Sequence, residues 1–509
     1  MRGVYVRSLL EAYWSPLVAL ALYTYSLPPG IGWWDTGEFQ TVPYIAGILH
    51  QTGFPAYSIV GWLFSHIVAI GNVAWRMSLL SAVCGAVATE RLAYVARRLG
   101  GDPWVAGGVA LVFVTSPLIW AEMTRASVEP LALACASVAL AAAVRYAFEP
   151  RLRTLVAVGV ACVVTFASHP ISMWTLPGIA LIALVAGGRR PKLRDVGSTV
   201  LVSVALGLLI FAYLPLRDGW IVAHQLDPAE NLLGLTGLPF WDYDRPQTYA
   251  GFIRLVTGAS FGAASSLTAP FELTQYPAYA VRGWEIVVRG VGLPALAILA
   301  LFVFERRPRM WVIVAGLLLA GAASIPFAIR YSALIDADKY ELVLIWAVCG
   351  VIALACTSTI TALERFGRMR IALVVTVLLV VSSAYSAYAQ RGLVDARNDR
   401  NAINLVANVV RLTPDNAVVF AGWSYATPLA YAAYVEGSFG KRIVATNVAH
   451  DQYVHFKLDR PIYYLPFPEA ELDIKDACLT LVPTSWPPLY RLSRKSSARC
   501  PSSGPKMVK

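Results

Sequence analysis

The chain alternates long apolar runs with short polar stretches, and the runs have helical rather than strand-like lengths. A hydrocarbon core takes about 20 apolar residues of helix. Eleven runs approach or reach that length: 9–27, 76–96, 104–121, 127–147, 154–169, 171–188, 196–215, 286–304, 310–328, 341–360 and 371–389. Segment 54–70 is a shorter apolar run. The expected fold is a polytopic α-helical membrane protein of about 11 transmembrane helices. The pattern changes after residue 391. Apolar blocks shorten and turn residues intervene, predicting helices near 398–411 and 427–435 and strands at 417–421, 442–447 and 461–465. That alternation predicts a small α/β domain over 392–494, followed by a polar, basic, disordered tail over 495–509.

The distribution of charge orients the bundle. With the N-terminus inside, the inner loops carry sixteen basic residues and the short outer loops four: Arg76, Arg125, Arg330 and Lys339. Positive charge concentrates on the cytoplasmic side, so the N-terminus is expected in the cytoplasm and the C-terminal domain outside the cell membrane. If 54–70 crossed, every later loop would change sides. It is therefore expected as an interfacial helix on the outer surface, within a first outer loop over 28–75. Residues 217–285 form a long outer loop, and 1–391 together a transmembrane domain. No cleavable signal peptide is evident, and 9–27 reads as the first span.

Composition agrees. Hydrophobic residues make up 57% and charged residues 14%, against about 25% charged in soluble domains. The net charge of +11 is mostly loop arginine near helix ends. It implies membrane lipids as partners rather than nucleic acid. Of seven cysteines, five lie in apolar runs. Cys478 and Cys500 fall in the outer region, where an oxidising compartment would allow a disulfide. There is no nucleotide-binding glycine loop and no nucleophile elbow. Charge inside the spans is scarce, Glu90 and Arg91 being the clear exception, which argues against a proton-coupled carrier.

The candidate chemistry sits outside the spans. Asp35 and Glu38, three apart in Trp33-Trp34-Asp35-Thr36-Gly37-Glu38-Phe39, can face one pocket, where a carboxylate could take a proton from an attacking hydroxyl. The alternative is a helix N-cap made by Asp35 or Thr36. Glu129 opens a later helix and could complete an acidic cluster, or pair with Arg125. His50 and His169 lie on the outer face. Arg217 and Arg330 are cations on the side the charge rule disfavours. Each could bind a lipid phosphate, pair with Asp336 or Asp338, or snorkel to headgroups. Asp336 and Asp338, two apart beside Tyr340, leave a divalent metal open. No other cofactor is implied.

Three ordered segments then resemble a known family: Asp35-Thr36-Gly37-Glu38-Phe39, His50 through Tyr57, and Trp75-Arg76-Met77-Ser78-Leu79-Leu80-Ser81-Ala82. They are similar in order and spacing to the transmembrane protein O-mannosyltransferases, within the GT-C glycosyltransferases that use lipid-phosphate sugars. Ser116-Pro117 with Trp120, Glu129, Ser168-His169, Leu214-Pro215-Leu216-Arg217 and Asp336-x-Asp338-x-Tyr340 extend the likeness. Gln51-Thr52 and Pro130 depart from it. The resemblance implies Asp35 as catalytic base with Glu38 beside it, and a donor and acceptor pocket among Trp34, His50, Glu129, His169 and Tyr340. It implies a polyprenyl-phosphate-linked sugar donor, mannose among the candidates, and a protein, glycan or lipid acceptor. A transporter, a lipid flippase and a non-catalytic scaffold presenting the C-terminal domain are the competing readings.

Overall fold

A computed structural model describes residues 2–188, 190–259, 276–299, 305–331, 337–363, 367–446, 460–466 and 477–494. The chain opens with α1 (Arg2–Tyr25), α2 (Asp35–Ile45), α3 (Pro55–Ile67), α4 (Val73–Arg98), α5 (Pro103–Val114), α6 (Pro117–Met123), α7 (Val128–Phe148) and α8 (Leu152–Ser168). The boundaries follow local chemistry. The Asn72 side chain accepts from Trp75 N to start α4, and Asp102 accepts from Trp104 and Val105 to start α5, with Pro103 at its first position. Arg97 and Arg98 fill the last turn of α4, at the negative end of its dipole.

The helix Leu342–Ala362 is the axis of the bundle. Ninety-four per cent of its most apolar 18-residue window is buried, and Trp346 Nε1 reaches across to the Ala88 carbonyl of α4 at 2.9 Å. The helix Leu193–Phe211 is the opposite case. It continues through Tyr213–Ala223, yet only 6% of its apolar window is buried. An apolar helix left bare by its own protein is solvated by lipid. Together these helices make the chain an integral membrane protein. Among the described residues six helices have the length and apolarity to cross a membrane, and seven if α5 and α6 count as one span.

Several expected spans are reshaped. The run 104–121 is broken by 76° between α5 and α6. Pro117 supplies no N–H and drives Ser116 to ψ 127°, out of the helical region. The run 171–188 is a 3₁₀ turn (Pro170–Thr175), a short α-helix (Leu176–Ala180) and a π-turn (Leu181–Ala186), with Pro170 and Pro177 interrupting regular hydrogen bonding. Helix continues past 215 to Ala223, and another starts at Tyr276, so the outer loop expected over 217–285 is trimmed at both ends. Segment 54–70 is α3, 13 residues long, or about 20 Å, too short for a 30 Å core.

After helix Arg368–Val394 the chain forms a five-stranded sheet: β1 (Val418–Ala421), β2 (Ile443–Ala445), β3 (Ile462–Leu465), β4 (Ala477–Leu481) and β5 (Tyr490–Arg494). The order is β2-β1-β3-β5-β4. β1 pairs parallel with β2 and β3, while β3–β5 and β4–β5 are antiparallel. The helices Asn401–Leu412 and Trp423–Tyr431 carry apolar residues that pack with Phe39, Val42 and Val73 of the first loop, so sheet region and membrane region share one core. Cys478 is disulfide-bonded. Cys500 and the tail 495–509 lie outside the described residues.

Candidate active site

Helix α2 is set by unusual backbone at its entry. Trp34 takes φ 53°, a left-handed conformation costly for a bulky residue, and so does Phe54 at φ 40° before α3. Strain of about 1–3 kcal/mol per such residue persists only where surroundings enforce it, commonly at functional sites. Neither Asp35 nor Thr36 caps the helix. The N-cap is Trp34, which makes no side-chain cap bond. The Asp35 carboxylate is therefore free for other partners.

Those partners come from far along the chain. Trp423 Nε1 donates to Asp35 Oδ1 at 2.7 Å, and Lys339 Nζ lies 3.7 Å from Asp35 Oδ2. Lys339 Nζ is also 3.7 Å from Glu129 Oε1, placing one ammonium between two carboxylates. Glu129 accepts from the Ser127 hydroxyl. Arg125 pairs with Glu122, not with Glu129 as an i,i+4 reading had it. Glu38, fully buried, holds His50 twice: its Oε1 accepts the backbone N–H at 2.9 Å and its Oε2 meets Nδ1.

The electrostatics are consistent with these contacts. Burial alone would raise the Asp35 carboxyl, but His50, Lys339, the Trp423 N–H and Arg125 outweigh it, and its pKa falls below the ordinary carboxylate value. Glu38 is pushed up by burial, against the pull of His50. Burial opposes the charge on His50, yet Glu38 and Asp35 hold it up at about 9, so it is an imidazolium at neutral pH. Burial brings His169 down to about 4. Its Nδ1 accepts from Ile171 N at 3.2 Å, leaving Nε2 to carry the proton of a neutral ring. Tyr340 packs edge-on to His169 at 5.7 Å and lies 5.5 Å from Lys339 Nζ. Glu129, His169, Lys339 and Tyr340 also line a small cleft, together with Ser172 and Trp174.

Of the expected site residues, Asp35, Glu38, His50, Glu129, His169 and Tyr340 come together, and Trp34 flanks them, half exposed. Arg217 does not join them. Its Nε donates to Ala46 O at 2.6 Å and its Nη2 to Ile45 O at 3.1 Å, capping the C-terminal end of α2. Asp338 pairs with Arg282 and Arg289, the latter at 3.2 Å, so its carboxylate faces guanidinium groups rather than a metal pocket. The Arg330 side chain and Asp336 lie outside the described residues. No cluster of three metal-ligating side chains occurs among the described residues. Two further residues join the site: Lys339, which the sequence shows only as an outer-loop cation, and Trp423, which lies between the expected strand 417–421 and the expected helix 427–435.

Residues 35–192 match the sequence model of the family described as Protein O-mannosyl-transferase TMEM260 N-terminal domain. Over 209 residues the chain is 29% identical to Protein O-mannosyl-transferase TMEM260 of Mus musculus, covering 39% of this chain and 29% of that protein. Over 101 residues it is 30% identical to Protein O-mannosyl-transferase tmem260 of Dictyostelium discoideum, covering 19% and 12%. The chain thus spans less than a third of either relative. Its fold is similar to the crystal structure of ArnT from Cupriavidus metallidurans bound to undecaprenyl phosphate, with TM-score 0.50 and 12% identity over 96% of this chain and 98% of that one. The sequence likeness is confined to part of the chain, whereas the likeness of fold extends over nearly all of it. The family match begins at Asp35, the first residue of the acidic site.

Proposed function

We propose that this chain is a glycosyltransferase that moves a sugar, mannose on the family likeness, from a polyprenyl-phosphate donor to an acceptor hydroxyl. The observation that carries the reading is that Lys339 lies 3.7 Å from both Asp35 and Glu129, with Lys339 and Glu129 lining a cleft. Asp35 accepts the proton of the attacking hydroxyl. A bond forms between the acceptor oxygen and the anomeric carbon as the bond from that carbon to the phosphate oxygen breaks, and the lipid phosphate leaves with the electron pair. Direct displacement inverts the anomeric centre. Phosphate leaves readily, so one base suffices. Among the described residues, Lys339 is the cation that we assign to the donor phosphate, and the imidazolium of His50 keeps Glu38 and the first loop fixed. The lipid donor draws support from the ArnT fold, since that protein is bound to undecaprenyl phosphate.

The charge asymmetry of the loops supports eleven spans with the N-terminus in the cytoplasm and the site outside, facing secreted protein, glycan or lipid acceptors. The sheet region over 392–494 would then lie outside as well. The test is transfer in vitro. Purified protein with polyprenyl-phosphate mannose and Ser/Thr-containing peptides should yield glycosylated peptide. The reading fails if no polyprenyl-phosphate sugar is consumed with any peptide, glycan or lipid acceptor.

A further inference from the structure

Among the described residues, the sheet region reaches the Asp35 carboxylate through the side chain of Trp423. Strand β1 ends at Ala421, Gly422 turns the chain, and Trp423 opens the next helix. In the order β2-β1-β3 the chain leaves β1 toward one side and later returns on the other. The crevice beyond the carboxyl end of such a strand is where open α/β sheets place ligands. Here the Trp423 indole stands at that position and points into the membrane region. It stacks on Phe240 of the outer loop, with centroids 5.9 Å apart and planes 1° from parallel, and meets His50 edge-on at 5.9 Å. Its N–H donates to Asp35 Oδ1 at 2.7 Å. One turn later Thr427 lies against Gly37. A Cβ on Gly37 would come within 2.8 Å of Thr427 Oγ1 and 2.9 Å of Gly32 O, so only glycine lets the two helices approach this closely.

We propose that Trp423 is a positioning residue for the catalytic carboxylate, supplied by the C-terminal α/β region. Its N–H fixes the rotamer of Asp35 and occupies Oδ1. Oδ2, beside Lys339, is then the oxygen presented to the acceptor hydroxyl. The inference rests on the reading of Asp35 as base. The groups that set the charge of Asp35 are Glu38 on its own helix, His50 in the following loop, Arg125 before α7, Lys339 in the turn Ala337–Glu341, and this indole. Glu129, on α7, lies beyond Lys339. Only the indole binds without adding charge, so its removal tests geometry and hydrogen bonding alone.

Two measurements on the full chain decide the matter. In protein labelled with ¹⁵N at tryptophan, the Trp423 indole resonance is the one lost in Trp423→Phe. It should move with pH as Asp35 titrates, and hold still in Asp35→Asn. In the transfer assay Trp423→Phe keeps the stacking on Phe240 but cannot donate. Its kcat should fall about tenfold or more, with donor KM nearly unchanged. The acidic limb of its pH profile should move up by about one unit, since a hydrogen bond to the charged form favours ionisation. An indole resonance indifferent to Asp35→Asn overturns the proposal. So does a Trp423→Phe profile superimposable on wild type when Asp35→Asn is inactive, and that result leaves the glycosyltransferase reading standing. A wild type inactive with every donor and acceptor, though the indole responds to Asp35, defeats the glycosyltransferase reading and the catalytic role together.

Discussion

Asp35→Asn separates catalysis from structure at this site. The substitution keeps the size of the side chain, and its amide oxygen can still accept from the Trp423 N–H at the 2.7 Å position. It removes the negative charge 3.7 Å from Lys339. Asp35 is about one-third exposed, so that ion pair contributes at most about 1 kcal/mol to stability. Lys339 also retains Glu129. Folding should survive nearly intact, with a melting temperature within a few degrees of wild type in detergent. Transfer should not. Loss of a general base costs about 10²–10⁴-fold, equivalent to about 3–5 kcal/mol of barrier. Barrier and stability effects therefore differ several-fold, and single-turnover transfer at saturating donor reads the first while a melt reads the second. Transfer by Asp35→Asn at close to the wild-type rate would refute the assignment. A variant that loses activity only because it is unfolded would fail the melt.

Other predictions follow from the same contacts. His50 has a folded-state pKa of about 9 against 6.5 for the free group. Its contribution to stability is present below 6.5 and lost as pH rises through about 9, so the wild-type melting temperature should decline across that window, and His50→Gln should remove this part of the decline. Gly37→Ala places a Cβ within 2.8–2.9 Å of Thr427 and Gly32, and should cost about 1–3 kcal/mol in a denaturation series. Lys339→Gln leaves Asp35 and Glu129 without the ammonium between them; it should raise donor KM and lower kcat together, and unchanged kinetics would remove Lys339 from the site.

The membrane fold was legible because its signals are local and repeated. A 20-residue apolar run reads as helix whatever packs beside it, unless proline interrupts it. The break at Ser116-Pro117 was legible too, since proline cannot continue the ladder, but a run counted only by its hydropathy passes over it. The acidic side of the site was readable for a related reason: Asp35 and Glu38 are three apart, and their charge is conspicuous beside apolar spans. Lys339 and Trp423 were not readable, because their meaning lies in contacts with a helix hundreds of residues earlier, and no periodicity records such a pairing. Arg217 misled in the opposite way. A cation expected on the outer side invites a phosphate, yet its guanidinium satisfies the last carbonyls of α2, a need visible only once that helix is seen to end at Ile45 with Ala46 in the left-handed conformation. Strands β4 and β5 went unread because five-residue segments flanked by a proline-rich loop and a basic tail carry too little alternation to stand out.

The lowered pKa of Asp35 sets a condition on the chemistry. A strongly ionised carboxylate is a weak base, so it cannot pull a proton from an alcohol early. It can accept one late, after the anomeric carbon has begun to bond the acceptor oxygen and the hydroxyl has become acidic. That timing suits a phosphate leaving group, whose departure needs no proton. Charge then moves in one direction across the site. In the proposed mechanism, as Asp35 is neutralised Lys339 loses one of its carboxylate partners, and negative charge grows on the departing lipid phosphate. The ammonium that lies 3.7 Å from both Asp35 and Glu129 would thereby be released toward the phosphate in that mechanism. On this reading the cations around Asp35 do more than keep it ionised. They hold in advance the positive charge that the leaving group requires, in a part-buried site where such preorganisation is worth more than in water.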